Sequence, residues 1–317
     1  MVDPVALRIV FFGTPQFAVP TLTALLASRH RVVGVVSQPD RPSGRGQRTT
    51  DAPVKATARL AGLPILQPQK LKEPAVLESL RALEADLAVV AAYGRLIPEP
   101  MLVLPRHGMI NVHASLLPRY RGAAPVHRAV MAGEPMTGVT IMRLVKELDA
   151  GPILATVARL IDPNETSDQV ERDLANLGAD LLVSTVDEIA AGRAREIPQD
   201  DRLASYAPRI TKDEGLIDWS WPADRVHNLI RGLYPWPHAF TFVGGRRLIL
   251  RRSTWSPNGS GASPGTIVAA EGDRLDVAAG SGVVHIADIQ PEGKRPMAAR
   301  EFLAGHHLAR GDRFGGA

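Results

Sequence analysis

Three side chains whose types support acyl transfer are the most informative feature of this 317-residue sequence. Asn111 and His113 lie two residues apart at the end of an apolar stretch, and Asp149 follows in a Leu-Asp-Ala-Gly turn. A carboxamide can donate to a developing oxyanion, an imidazole can carry a proton, and a carboxylate can orient or polarise the other two. This combination predicts transfer of an acyl group.

A strand is needed to present Asn111 and His113 together, because side chains two apart on a strand point to the same face. The first two thirds of the sequence alternate short apolar strands with helices, the pattern of βαβ units. We predict an α/β, Rossmann-like domain with a mainly parallel sheet covered on both faces. The predicted strands cover residues 7–12, 31–37, 64–66, 87–92, 109–113, 137–144 and 153–160. The predicted helices begin at Pro20, cover 53–60 and 76–83, and run from a capping box at Thr166 and Gln169 to about Gly192.

The pattern changes after residue 192. Residues 193–207 have few apolar side chains and predict a linker. Beyond them we predict a helix over 224–233, a hairpin over 240–250 and short strands over 265–270, 274–278 and 283–289. Several short strands favour a small β-barrel of the OB type. The predicted domains are therefore residues 1–192, which carry the catalytic residues, and residues 208–317, which form the barrel.

Composition limits the class of protein. The sequence has no cysteine, which excludes disulfides and thiolate metal sites. It shows neither a basic-then-apolar leader nor a run of about 18 apolar residues, so we predict a soluble, cytoplasmic protein without a membrane partner. The net charge is +4, and residues 206–317 contain 14 Lys and Arg and 11 Asp and Glu. This excess is weak support for a polyanionic partner.

The Gly-x-Gly-x-x-Gly fingerprint and the Walker lysine are missing, so we expect neither NAD nor a nucleoside triphosphate.

Long motifs across the sequence resemble those of the folate-dependent formyltransferases. They are IVFFGTP (9–15), QPDRPSGRG (38–46), NVHASLLPRYRG (111–122), TGVTIM (137–142), IDW (217–219) and PWP (235–237). The resemblance implies the formyltransferase fold, 10-formyltetrahydrofolate as co-substrate, methionyl initiator tRNA as acceptor, no metal, and a role in translation initiation. It also implies that Asn111 donates to the formyl oxygen, that His113 stabilises the same charge or handles the proton of the attacking amine, and that Asp149 orients the imidazole or a water. We expect a monomer.

The same resemblance implies binding residues. The folate site would be formed by Ser115, Leu116, Leu117 and Pro118, together with Tyr93, Gly94, Leu96 and Ile97. Phe17 would lie near the methionine side chain. Core packing is the alternative for Phe17, and also for Tyr93 and Ile97. Contacts to tRNA would come from Arg41, Arg45 and Arg48 on a glycine-containing loop, and from Arg246 and Arg247 in a C-terminal tRNA-binding domain. Neighbours on a strand face opposite ways, so not every C-terminal arginine can meet one ligand. A solvated surface is the alternative for all of these arginines.

Three other hypotheses stay open. Ser115, His113 and Asp149 could form a Ser-His-Asp hydrolase triad, although the Gly-x-Ser-x-Gly elbow is missing. A folate-dependent formyltransferase for a small amine would not need the arginine loop, and the glycinamide ribonucleotide enzyme would also lack the second domain. A non-catalytic RNA-binding protein on the same fold would not need Asn111, His113 and Asp149.

Overall fold

The computed structural model describes residues 6–40, 42–43 and 48–315. The chain divides into two compact units. The first comprises the residues up to Ala123, Thr137–Arg159 and Glu171–Ala207, and the second comprises Ala124–Met136, Leu160–Val170 and the residues from Pro208 onward. None of the described helices is both long enough and apolar enough to span a membrane.

Within the described residues, eleven strands precede residue 208. In chain order they are β1 (Arg8–Gly13), β2 (Arg31–Val36), β3 (Pro42–Ser43), β4 (Arg48–Thr49), β5 (Ile65–Leu66), β6 (Leu87–Ala91), β7 (Met109–His113), β8 (Arg121–Gly122), β9 (Met136–Arg143), β10 (Ile153–Leu160) and β11 (Tyr206–Ala207). The helices of this part are α1 (Val19–Ala27), α2 (Pro53–Leu60), α3 (Pro74–Ala82), α4 (Glu99–Leu102), α5 (Pro125–Met131) and α6 (Ser167–Ala190). Prolines at the first or second position of α1 to α5 suit a helix start, because the missing N–H has no partner there.

Seven strands form one sheet in the order β10-β9-β7-β6-β1-β2-β5. The strands from β7 to β5 in this order run parallel, and β9 runs antiparallel to β7. Strand β6 is buried along its whole length, as expected of a strand covered on both faces. The predicted α/β sheet is confirmed, and the strand that carries Asn111 and His113 lies inside it between β6 and β9.

The second unit contains an antiparallel sheet. Besides α5, this unit contains α7 (Ala223–Gly232), β12 (Ala239–Val243), β13 (Arg246–Ser256), β14 (Ile267–Glu271), β15 (Arg274–Ala278), β16 (Val283–Pro291), β17 (Met297–Ala298) and α8 (Ala299–Gly305). The strand order is β12-β13-β16-β15-β14, with β17 beside β16. The predicted hairpin is confirmed by the pairing of β12 with β13. No pairing joins β12 to β14 among the described strands, so a closed OB-like barrel stays a prediction.

Residues 193–207, which the sequence assigned to a linker, pair with other parts of the first unit. Ile197 forms an antiparallel bridge with Ile153, and β11 lies parallel to β8. A 3-10 helix at Asp201–Leu203 lies between these two pairings. Main-chain pairing of such short segments leaves no pattern of apolar residues, which is why composition alone indicated a linker.

A half-buried histidine in the second unit gives the stability of the protein a dependence on pH. The pKa of His238 is lowered to about 4, mainly because burial disfavours the charged ring and also because Arg251 lies beside it. The unfolded chain would titrate near the ordinary value of about 6.5. The contribution of a neutral His238 to the free energy of unfolding is therefore fully present above about pH 6.5. It decreases as the pH falls towards 4.

We expect His238→Asn to flatten this dependence, because asparagine does not titrate and tolerates the left-handed φ of +71° at this position. The denaturant midpoint of both proteins would be measured from neutral pH down to about pH 4. The prediction is contradicted when the two midpoints decrease in parallel.

Candidate active site

Strand β7 presents Asn111 and His113 on one face. Its pairing with β9 is regular, with Asn111 opposite Met142 and His113 opposite Thr140, so side chains two apart share a side. His113 is buried and Asn111 is partly exposed. Within the described residues, no hydrogen bond engages the Asn111 carboxamide. Its two N–H groups can therefore serve a ligand.

The two ring nitrogens of His113 face different partners. Nε2 lies 3.0 Å from the main-chain oxygen of Tyr120, and a carbonyl only accepts, so this nitrogen carries a hydrogen. Nδ1 lies 3.7 Å from Oδ2 of Asp149, an ion-pair separation that is longer than a hydrogen bond. The ring is therefore held between a main-chain acceptor and a carboxylate.

Asp149 lies in the turn between β9 and β10. Its φ is +49°, a left-handed conformation that aspartate adopts more readily than most residues. Its Oδ2 accepts a hydrogen bond of 2.9 Å from the main-chain N–H of Gly122. Gly151 leaves no room for a side chain, because an added Cβ would overlap the main-chain oxygen of Arg143. The turn thus packs against β9 while its carboxylate faces His113.

The loop after β7 is held by a buried threonine. The Thr140 hydroxyl donates to the main-chain oxygen of Ser115 at 2.7 Å and accepts from the main-chain N–H of Leu117 at 3.1 Å. The Ser115 hydroxyl donates to the main-chain oxygen of Arg119 at 2.7 Å, so its hydrogen does not face His113. This contact gives no support to the Ser-His-Asp hydrolase hypothesis.

We expect Thr140→Val to destabilise the protein by about 1–3 kcal/mol, because it leaves a buried N–H and a buried carbonyl without partners. The midpoint of denaturation would measure the loss. Thr185→Val is the matched control, since the buried Thr185 hydroxyl donates only to a carbonyl one turn back in the same helix. Equal midpoints for the two variants would contradict the prediction.

The second predicted folate segment begins in the core. Tyr93 is buried, its ring packs edge-on against Phe12, and its hydroxyl has no hydrogen-bond partner. Burial raises the pKa of Tyr93. Its main-chain oxygen accepts from Nε2 of Gln38 at 2.7 Å. Further along, Gly94 has a φ of +81°, Leu96 is 76% exposed and Ile97 packs against the core. Of the predicted folate residues in this segment, only Leu96 presents a large apolar surface to solvent.

The arginine loop is only partly described. Arg41 and Arg45 lie outside the described residues, and Arg48 lies in β4, of which the backbone is described. The residues before the loop are anchored: the Lys55 ammonium donates to Asp40 and lowers the pKa of that carboxyl. Phe17 is buried, with 7% of its surface exposed, as in the core-packing alternative.

The C-terminal arginines differ from each other, as their positions on a strand predict. Arg246 is exposed, whereas the Arg247 guanidinium lies 3.9 Å above the Phe240 ring and its Nε is buried without a partner. Within the described residues, no cluster of three or more histidine or carboxylate side chains could hold a metal ion.

The main-chain and side-chain groups that hold His113 and Asp149 could not be identified from the sequence. The main-chain oxygen of Tyr120 and the main-chain N–H of Gly122 leave no signature in side-chain types. Gln199 donates to the main-chain oxygens of Asp149 and Gly151, but it lies in the segment that composition assigned to a linker. The only available signal was that residues 120–122 belong to the long motif.

The chain belongs to the formyl transferase family. The family model described as formyl transferase matches residues 7–186, and the model of the formyl transferase C-terminal domain matches residues 209–307. The resemblance stated from the motifs is therefore confirmed, and so is the enzyme class of formyltransferase.

The chain is similar to several methionyl-tRNA formyltransferases. It is 45% identical over 309 residues to that of Moorella thermoacetica, covering 98% of this chain and 99% of the relative. It is 47% identical over 305 residues to that of Trichlorobacter lovleyi, covering 96% of each. Both relatives are thus matched over almost their full length.

Solved structures show the same fold. An N-formyltransferase from Helicobacter canadensis, in complex with folinic acid and dTDP-3-aminofucose, has a TM-score of 0.68 at 16% identity and covers 88% of this chain and 99% of its own. Glycinamide ribonucleotide transformylase 1 from Symbiobacterium toebii has a TM-score of 0.52 at 25% identity and covers 62% of this chain and 95% of its own. The predicted formyltransferase fold is confirmed.

Proposed function

We propose that the chain transfers the formyl group of 10-formyltetrahydrofolate to the α-amine of methionyl initiator tRNA, giving N-formylmethionyl-tRNA for translation initiation. The observation that carries the proposal is the arrangement on β7, where an unengaged carboxamide shares a face with an imidazole that lies 3.7 Å from a carboxylate. The relatives named above support the choice of acceptor.

The residues present fit a folate co-substrate. The Asn111 carboxamide has donors that no described residue uses, which suits a formyl oxygen. Exposed Leu96 offers an apolar surface for a planar ring, and the loop from Ser115 to Pro118 offers main-chain polar groups. When bound, the folate supplies an electrophilic formyl carbon and a nitrogen leaving group.

Asn111 and His113 act on the charge that develops during transfer. As the amine attacks, the new C–N bond forms and the C=O electron pair moves onto oxygen. The Asn111 N–H groups stabilise this oxygen by hydrogen bonding, and His113 stabilises the same oxygen or handles the proton of the attacking amine. When the bond to the folate nitrogen breaks, the amine has lost one hydrogen and that nitrogen has gained one. His113 can give a hydrogen and take one back, and Asp149 holds the ring in place.

Contacts to tRNA are part of the same proposal. Arg41, Arg45 and Arg48 supply guanidinium groups for the phosphates of the acceptor stem, and exposed Arg246 is a candidate for backbone contacts in a C-terminal tRNA-binding domain. Arg247 is partly covered by its stacking on Phe240, so its contact would use the edge of the guanidinium. Phe17 would meet the methionine side chain only through its small exposed fraction. The proposal includes a monomer in the cytoplasm, where charged tRNA is made, with no membrane partner.

The test is a product assay with purified protein and radiolabelled formyl donor. Charged initiator tRNA, glycinamide ribonucleotide and an amino-sugar nucleotide would be offered separately. The proposal expects label only in N-formylmethionyl-tRNA. Formylation of either small amine in preference to the tRNA would contradict it, and so would the absence of any formylated product.

A further inference from the structure

Gln199 connects two segments that hold Asp149. Its Nε2 donates to the main-chain oxygen of Asp149 at 2.9 Å and to that of Gly151 at 2.8 Å. Its Oε1 accepts from Nε of Arg121 at 3.0 Å and from Nη2 of the same side chain at 2.7 Å. A single side chain therefore joins the turn after β9 to strand β8.

The orientation of the Gln199 amide follows from its partners. Main-chain oxygens only accept, so the NH₂ group must face Asp149 and Gly151. A guanidinium only donates, so the amide oxygen must face Arg121. Both hydrogens on Nε2 of Gln199 and both acceptor positions on its Oε1 are therefore used. Only a side chain with a neutral donor and a neutral acceptor on one carbon satisfies all four hydrogen bonds.

These contacts form a closed ring around the carboxylate. Arg121 is buried at 4% exposure, and its Nη2 also donates to Asp201 at 2.8 Å. The next residue, Gly122, donates its main-chain N–H to Oδ2 of Asp149 at 2.9 Å. Gln199 thus fixes the main chain of Asp149 and, through Arg121, the strand whose N–H group holds the carboxylate.

Asp149 needs such support. Its left-handed φ of +49° is one that a residue other than glycine keeps where neighbouring contacts enforce it. Its carboxylate must also stay 3.7 Å from Nδ1 of His113, and a displacement of about 1 Å at a reacting site can lower turnover by about 10²-fold.

We propose that Gln199 is a positioning residue of the formyl-transfer site: it holds Asp149 in the strained turn at the distance where the carboxylate orients His113. The inference rests on the role that the proposed function gives Asp149. Gln199 acts on the reaction through Asp149.

Gln199→Glu tests this role with almost no change in size. It replaces the donor with a second oxygen, which would face the two main-chain oxygens of Asp149 and Gly151. We expect turnover to fall by roughly 10- to 100-fold, because a misplacement of about 1 Å at a reacting site can lower turnover by about 10²-fold, with an unchanged KM for the formyl donor. Gln199→Met is the second variant, because it removes all four hydrogen bonds without adding charge.

Gln290→Glu is the matched control. Gln290 also accepts from an arginine, Arg251, and donates to a main-chain oxygen, that of Lys294, but it lies in the second unit. We expect its turnover to match the unsubstituted protein. Circular dichroism and thermal melting of each variant would show that the fold is retained.

A double-mutant cycle separates positioning from general stability. Asp149→Asn alone should lower turnover, and adding Gln199→Glu should then have little further effect, because the carboxylate it positions is gone. Multiplicative losses would overturn the inference, and so would normal turnover in folded Gln199→Glu and Gln199→Met, or unfolding of both. Normal turnover in Asp149→Asn would instead show that the proposed role of Asp149 is wrong, and the inference would fall with it.

Discussion

Replacing His113 with alanine is expected to lower the turnover number by at least about 100-fold, and by up to about 10⁴-fold, while the protein stays folded. The ring contacts the main-chain oxygen of Tyr120 and lies 3.7 Å from Oδ2 of Asp149, so it has a defined orientation in the site. Alanine removes the group proposed to stabilise the formyl oxygen or to move a hydrogen. Single-turnover formyl transfer at saturating substrates would measure the loss.

His307→Ala is the control for this substitution, because His307 is exposed on the second unit and has no assigned role. It should transfer formyl at the rate of the unsubstituted protein. A folded His113→Ala enzyme with near-normal turnover would show that the imidazole does not take part in the reaction.

Replacing Asn111 with alanine is expected to lower turnover by about 10²- to 10³-fold, the usual effect of removing one donor to an oxyanion. The carboxamide is partly exposed and engages no described residue, so its loss breaks no internal hydrogen bond and should not destabilise the fold. The same single-turnover assay applies, combined with a measurement of folate affinity.

The balance between affinity and turnover tests the role of Asn111. Stabilisation of the developing oxyanion predicts a loss mainly in turnover, whereas a purely binding role predicts weaker folate affinity with normal turnover at saturation. Asn176→Ala, at an exposed position of α6, is the control. A variant that loses only affinity would contradict the proposed role.

Much of the fold could be predicted because its signals are local. Met109–His113 and Pro53–Leu60 have the predicted bounds, since a short apolar strand and a helix with proline at its start are encoded in neighbouring residues. The capping box at Thr166 was half confirmed: Gln169 accepts from the Thr166 N–H, but the Thr166 hydroxyl donates to side chains.

Features set by tertiary contacts could not be predicted. The antiparallel direction of β9 beside β7 is set by the path of the chain between the two strands, and neighbouring residues do not encode that path. The pairing of β8 with β11 joins residues about 85 positions apart through main-chain groups alone. The positions of Tyr120, Gly122 and Gln199 around the site depend on these pairings, so the residues were missed although His113 and Asp149 were selected.

The geometry adds one element to the sequence-based account of the site. The resemblance gives His113 two alternative roles, stabilising the formyl oxygen or handling the proton of the attacking amine. Nε2 of its ring lies 3.0 Å from the main-chain oxygen of Tyr120, and Nδ1 lies 3.7 Å from the Asp149 carboxylate. The ring therefore has a defined orientation on the face of β7 that also carries Asn111.

The central claim is that Asn111 and His113 act on the same formyl carbonyl. A crystal structure of the protein with a non-reactive formyl-folate analogue tests it most directly. The account predicts the formyl oxygen at hydrogen-bond distance, about 2.7–3.2 Å, from Nδ2 of Asn111, with the His113 ring beside the formyl group on the same face of β7. A formyl group bound on the opposite face of β7, out of reach of both side chains, would contradict it.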